Sequence, residues 1–185
     1  MGMKPINKVV LCGTVCFEEQ GYKVKEHTYY KAMLRVEESD GRQIYIPLRI
    51  RTDRVDKNDI DGKRVKLEGC LIQYYQKSIE KNCVDVKRVY ASYDGESINR
   101  VTIVGEVSKP PKQQINYNGK PIVRFKLFKR NIGDFPVVVS GRNLAIAERC
   151  LNVGTVIRLS GRLYSHGKKN DVALSINGRE ISFLS

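Results

Sequence analysis

Ile98-Asn99-Arg100-Val101-Thr102-Ile103-Val104-Gly105-Glu106-Val107 restates Ile6-Asn7-Lys8-Val9-Val10-Leu11-Cys12-Gly13-Thr14-Val15 at a spacing of 92 residues. A second phrase, Gly62-Lys63-Arg64-Val65-Lys66-Leu67-Glu68-Gly69-Cys70-Leu71, returns at the same spacing as Gly154-Thr155-Val156-Ile157-Arg158-Leu159-Ser160-Gly161-Arg162-Leu163. Two separate phrases sharing one offset mark a duplication. A period of about 90 residues is too long for a solenoid unit and suits a small complete domain. The repeat divides the chain into domain 1 (1–92), a linker (93–97, in the Tyr93-Asp94-Gly95 stretch) and domain 2 (98–185).

Working outward, each copy reads as short alternating strands separated by turn residues. Copy one places strands near 6–16, 29–37, 43–51, 63–75 and 83–90; copy two places them near 98–108, 121–130, 134–140, 155–165 and 171–183. Asn118-Gly119 is the sharpest turn signal and predicts a two-residue hairpin with positive φ at both positions. Pro110-Pro111, lacking ladder donors, is expected to end the first strand of copy two. One stretch has helical spacing: Arg142–Val153, with Leu144, Ile146, Ala147, Cys150 and Leu151 apolar, Asn143 as cap and Gly154 as stop. Copy one carries the polar Thr52–Asp61 at that place, so its helix is expected to be short or absent. Three strands, a helix, then a two-strand hairpin is the order of a five-stranded OB barrel. The fold class is therefore all-β, two tandem OB barrels.

The 185 residues are 41% hydrophobic and 29% charged, ordinary for a globular protein. No apolar run approaches membrane-spanning length and no signal pattern opens the chain, so a cytoplasmic protein without membrane attachment is expected. Net charge is +13, with +4 in residues 1–95 and +9 in 96–185. Such an excess favours a polyanionic partner, nucleic acid first among them. The five cysteines have no zinc-ribbon spacing; Cys12 and Cys16 share a strand face, as a core pair of reduced thiols would. Asp56–Gly62 is like a calcium loop, but its glycine is one place late and Ile60 stands where a ligand is needed. No phosphate loop, zinc-protease motif or nucleophile elbow occurs. Neither catalysis nor a cofactor is expected.

In copy two Asn99–Gly105, Gly119–Phe125, Gly141–Gly154 and Gly161-Arg162-Leu163 follow one another as four motifs. In these copy two resembles the bacterial single-stranded DNA-binding proteins, whose corresponding motifs are N-R-V-T-L-V-G, G-K-x-V-A-R-F, a helix motif and G-R-L. Copy one is similar at its first strand and at Gly69–Leu71. The resemblance implies sequence-tolerant binding of single-stranded DNA without catalysis, and assembly through OB contacts, here a dimer giving four OB folds. It also implies a cytoplasmic, nucleoid-associated protein of bacterial or phage origin. The family's acidic tail has no counterpart up to Ser185. Its third-strand aromatics fall on Asp134 and Ser140 in copy two, which cannot stack, and on Tyr45 and Arg51 in copy one.

Binding an unpaired strand takes cations for phosphates and flat groups for bases. Strand alternation sorts the residues by side. With Val123, Phe125 and Leu127 inward, Arg124, Lys126, Phe128 and Arg130 face out. With Ile157, Leu159 and Leu163 inward, Arg158, Arg162 and Tyr164 face out. In copy one Ile44, Ile46, Leu48 and Ile50 point in, leaving Tyr45, Arg49 and Arg51 outside, beside Lys31 and Arg35. Arg100 joins them on the first strand of copy two, and Phe135 has core parity. The last hairpins add Tyr74, Tyr75, Lys77 and Lys81 in copy one, and His166, Lys168 and Lys169 in copy two. The expected partner is single-stranded DNA, with RNA as a second polynucleotide of the same charge. The competing reading is a protein-interaction module, primosome-like or of a mobile element.

Overall fold

A computed structural model describes residues 6–18, 21–76, 78–91, 94–167 and 172–184. Contacts divide the chain into two compact units. The first holds Lys8–Arg100 with Ser165–Ala173; the second holds Val101–Tyr164 with Leu174–Ser185 and the first few residues.

The first unit is built from β1 (Asn7–Phe17), β2 (Tyr22–Val24), β3 (His27–Glu37), β4 (Gln43–Arg51), α1 (Lys57–Ile60), β5 (Arg64–Gln76) and β6 (Ile79–Tyr90). Its ladders run β1–β3, β3–β4, β4–β6, β6–β5 and β5–β1, which closes a five-strand ring. Only β4–β6 is parallel. Closure leaves one apolar interior, filled by the alternate residues Leu11, Val15, Leu34, Ile46, Ile50, Leu67 and Leu71. Asp56 caps α1 by accepting from the Asn58 amide at 2.9 Å, so copy one has the short helix its polar sequence allows.

The second unit repeats the plan with β7 (Asn99–Ile115), β8 (Pro121–Lys129), β9 (Gly133–Ser140), α2 (Asn143–Cys150), β10 (Val156–His166) and β11 (Ala173–Phe183). The ring is β7–β8–β9–β11–β10–β7, with β9–β11 the parallel pair. The two units therefore share strand order and the place of the helix, as the tandem OB reading requires.

The repeated glycine of the second phrase has a packing reason. A Cβ on Gly161 would lie 2.1 Å from the Asn177 carbonyl oxygen, and one on Gly69 would lie 2.5 Å from that of Asp85. Backbone occupies the place of the side chain in both copies.

Several expectations are corrected. Pro110-Pro111 does not end the strand: β7 continues to Ile115, and the prolines sit where its register against β8 shifts between Lys109 and Lys112. An irregular rung needs no donor from proline. Asn118-Gly119 does not form a two-residue turn, because only Gly119 has positive φ (73°). The Gly119 amide donates to the Asn116 carbonyl (3.0 Å), so Tyr117 and Asn118 are the central pair and Gly119 follows them. Asn143 does not cap α2. It lies inside the helix, and its Nδ2 donates to the Arg179 carbonyl at 2.8 Å, tying α2 to β11. The helix stops at Cys150, and Ile146 and Cys150 face outward. Cys12 and Cys16 do share parity, but on the non-core face: Val9, Leu11 and Val15 hold the interior, Cys12 is covered and Cys16 is open.

Candidate nucleic-acid interface

In the first unit β3 and β4 are neighbours in register, and their outward residues pair across the ladder. Tyr29 lies opposite Arg51, Lys31 opposite Arg49, and Arg35 opposite Tyr45. Two neighbouring rungs join a ring to a cation and two cations to one another; Met33 opposite Pro47 then separates them from the third pair, Arg35/Tyr45. Opposite residues of an antiparallel pair stand about 5 Å apart, so the members of each pair are neighbours, while the apolar Met33/Pro47 rung interrupts the row. Inward parity is as read: Ile44, Ile46, Leu48 and Ile50 are all buried.

The patch is organised around a stack that the sequence did not disclose. β2 pairs with β3 so that Tyr22 lies opposite Tyr29, their rings stacked with centroids 5.8 Å apart. The Arg49 guanidinium lies over the Tyr29 ring at 4.6 Å, and the Lys31 ammonium over the Tyr22 ring at 5.5 Å. Beyond Arg49 stands Asp85, brought alongside by the parallel β4–β6 register. Its Oδ1 accepts from Arg49 Nε at 2.9 Å and its Oδ2 from Lys87 Nζ. Only 5% of Asp85 is exposed. Burial alone would raise its pKa, but the hydrogen bonds and charges of Arg49 and Lys87 outweigh it and hold the carboxyl below its ordinary value. Arg51 is likewise engaged, by the exposed Asp53.

Nearby, burial pushes the Tyr74 phenol up to about 12 and the Cys83 thiol up to about 12; Tyr22 is raised by burial as well. Tyr74 is thus half-covered, whereas its neighbour Tyr75 is exposed at the β5–β6 hairpin. Lys77, Lys168 and Lys169 lie outside the described residues. The Tyr45 amide donates to Ser165 Oγ at 3.2 Å within the same unit, and the Tyr45 hydroxyl donates to Gln43 Oε1 at 3.0 Å.

In the second unit β8 presents Arg124 and Phe128 exposed and Lys126 half-buried, with Val123, Phe125 and Leu127 beneath them. Arg124 lies opposite Lys112 and Lys126 opposite Lys109 on β7. Phe128 lies between Glu106 on β7 and Asp134 on β9, so an acid flanks it on each side. Asp134 Oδ1 accepts from Ser108 Oγ at 2.6 Å. Phe135 is core, 1% exposed. Arg100 and Arg130 are exposed, and Arg158, Arg162 and Tyr164 are outward on β10.

The strands carrying these residues are not adjacent. β8 and β10 flank β7 from opposite sides. Outward residues of strands separated by another strand of a closed ring point apart. Arg124 and Lys126 therefore belong to one wall, and Arg158, Arg162 and Tyr164 to another.

With the geometry in hand, the chain was compared with known proteins. Its fold matches that of the wild-type single-stranded DNA-binding protein from Thermus aquaticus with a TM-score of 0.78, over 99% of this chain and 95% of that one, at 16% identity. A deletion variant of the same Thermus protein matches with the same TM-score over 98% of this chain. The fold is the tandem OB fold. In sequence, the chain is 29% identical over 83 residues to the replication restart protein PriB of Serratia proteamaculans (strain 568), spanning 39% of this chain and 79% of that protein. No protein-family model matches. Among the described residues no His, Cys, Asp and Glu group could hold a metal ion, and no helix is long and apolar enough to cross a membrane. Cationic and aromatic side chains stand on the β3–β4 wall of the first unit and, in the second, on the β7–β8 wall and separately on β10.

Proposed function

We propose that this chain binds single-stranded DNA without sequence preference, one wall of each barrel contributing, in replication, repair or recombination. The observation that carries the reading is the set of outward pairs Tyr29/Arg51, Lys31/Arg49 and, past the Met33/Pro47 rung, Arg35/Tyr45 on one wall of the first barrel. Cations hold phosphates there and Tyr45 offers a ring to a base, while Tyr29, 8% exposed between Tyr22 and Arg49, braces the wall. The Thermus and Serratia relatives support it by what they are named for. The domain limits proposed are 1–92 and 98–185, so both modules lie on one chain and the second contact becomes intramolecular. A cytoplasmic homodimer presenting four barrels, with no catalytic activity, completes the proposal.

Fluorescence anisotropy with labelled oligo-dT, its duplex and the matching RNA at two salt concentrations tests it. The expected result is tightest binding to the single strand, weakening with salt at a log–log slope of about −0.7 per phosphate neutralised. Affinity for oligo-dT that ignores salt overturns the mechanism, and preference for the ribose 2′-hydroxyl redirects it to RNA.

A second reading is favoured by the acids on these walls. Asp85 and Asp53 engage Arg49 and Arg51, and Glu106 and Asp134 flank Phe128. In that reading the walls hold a protein of the replication restart machinery, and no labelled strand shifts even at low salt.

A further inference from the structure

The outward side chains of β10 stand apart from both strand walls. From Val156 to His166 this strand has no acidic residue. Arg158 is exposed and Ser160, Arg162 and Tyr164 are half-buried on its outer side, while Ile157, Leu159 and Leu163 fill the core. A rise of about 3.4 Å per residue puts Arg158 and Arg162 roughly 14 Å apart on one line, with Ser160 midway. Ser160 lies opposite Thr102 of β7, their hydroxyl oxygens 3.3 Å apart, so two hydroxyls occupy the gap between the guanidiniums. Tyr164 continues the line beyond Arg162. Of the acids beside the strand, Glu106 faces Val156 at the end away from Tyr164, and Glu180 lies on the neighbouring β11.

Two cations, a hydroxyl pair between them and a ring at the end repeat the chemistry of the other walls. Guanidiniums and hydroxyls suit successive phosphates, and the ring suits a base. Position keeps one short strand from using this line and the β7–β8 wall together. β7 lies between β10 and β8, and outward groups on strands two apart in a closed ring point away from each other.

We propose that β10 is a second polynucleotide track, so that this barrel holds two separate single-stranded segments at once and brings strands together for annealing. The proposal rests on the single-strand reading above. The β7–β8 wall, with Lys109, Lys112, Arg124 and Lys126, fills first. β10 has two cations, so its occupancy should need excess strand and low salt, with a log–log slope of about −1.4. The test titrates the whole chain at low salt with 5-iodouracil-substituted oligo-dT of about six nucleotides, enough to fill one track. Two equivalents per chain should bind first, one on each barrel's wall. A third should follow at excess, and only then should Tyr164 be crosslinked. Arg158→Ala with Arg162→Ala should remove the third equivalent and the Tyr164 adduct, and should slow annealing of two complementary strands. Arg158→Lys with Arg162→Lys, which keeps both charges, should restore all three. Saturation of the wild-type chain at two equivalents overturns the proposal and leaves the wall-based reading standing. So does a third equivalent, or a wild-type annealing rate, that persists in the double alanine variant. Failure of the wild-type chain to bind any single strand overturns both.

Discussion

Asp85→Asn should make the protein less stable and better at gripping phosphates. In the folded chain this carboxylate holds Arg49 through Nε and Lys87 through Nζ, and it is almost fully buried. Breaking a fully buried ion pair from one side costs about 3–5 kcal/mol. Here 18% of the Arg49 side chain and 51% of the Lys87 side chain remain exposed, so water takes up part of the loss. Asparagine also keeps one acceptor for Arg49. A loss of about 2 kcal/mol follows, or roughly 4–8 °C in Tm for a chain of this length. The binding effect has the opposite sign. Arg49 on β4 and Lys87 on the neighbouring β6, no longer neutralised, add one or two free cations, so the log–log salt slope with oligo-dT should steepen by about 0.7–1.4. Thermal denaturation and anisotropy over a salt series measure the two arms. A destabilised variant whose slope is unchanged or shallower would refute the reasoning, because Arg49 would then lie off the path of the phosphates.

Other outcomes follow from the same geometry. Arg124→Ala with Lys126→Ala should flatten the salt slope by about 1.4, whereas Arg158→Ala with Arg162→Ala, on another wall, should change it less; the reverse order would put the strand on the β10 side. Gly161→Ala drives a Cβ to 2.1 Å from the Asn177 carbonyl, so β10 and β11 must part. A destabilisation of about 3 kcal/mol is expected by urea denaturation, and an unchanged midpoint would contradict the packing. In acid, the depressed pKa of Asp85 means that its contribution is complete above the unfolded value of 3.8 and is lost as pH falls through the lower folded value. An acid-unfolding curve should therefore lose its lowest-pH step in Asp85→Asn, and identical curves would exclude that carboxylate.

Side assignment was legible because strands have period two. Val123, Phe125 and Leu127 could be separated from Arg124, Lys126 and Phe128 by counting alone, and Phe135 was placed in the core by the same parity. Periodicity says which way a residue points from its own strand, but not which strands are neighbours. Arg158 and Arg124 both face outward, yet β7 runs between their strands. Asp85 escaped notice for the same reason: it lies in the buried run Cys83–Val86, and only the parallel β4–β6 register brings it to Arg49. Tyr22 sits on a three-residue strand too short to show alternation. Asn143 and Asn118-Gly119 carried the right residues for a cap and a tight turn, but a contact to Arg179 and the Asn116 side chain redirected them.

Photocrosslinking with 5-iodouracil-substituted oligo-dT, mapped by peptide mass spectrometry, probes the walls themselves. Adducts on the β3–β4 and β7–β8 segments, with Tyr45 and Phe128 among the modified residues, are the predicted result. Retained binding with adducts confined to β10 would contradict the account.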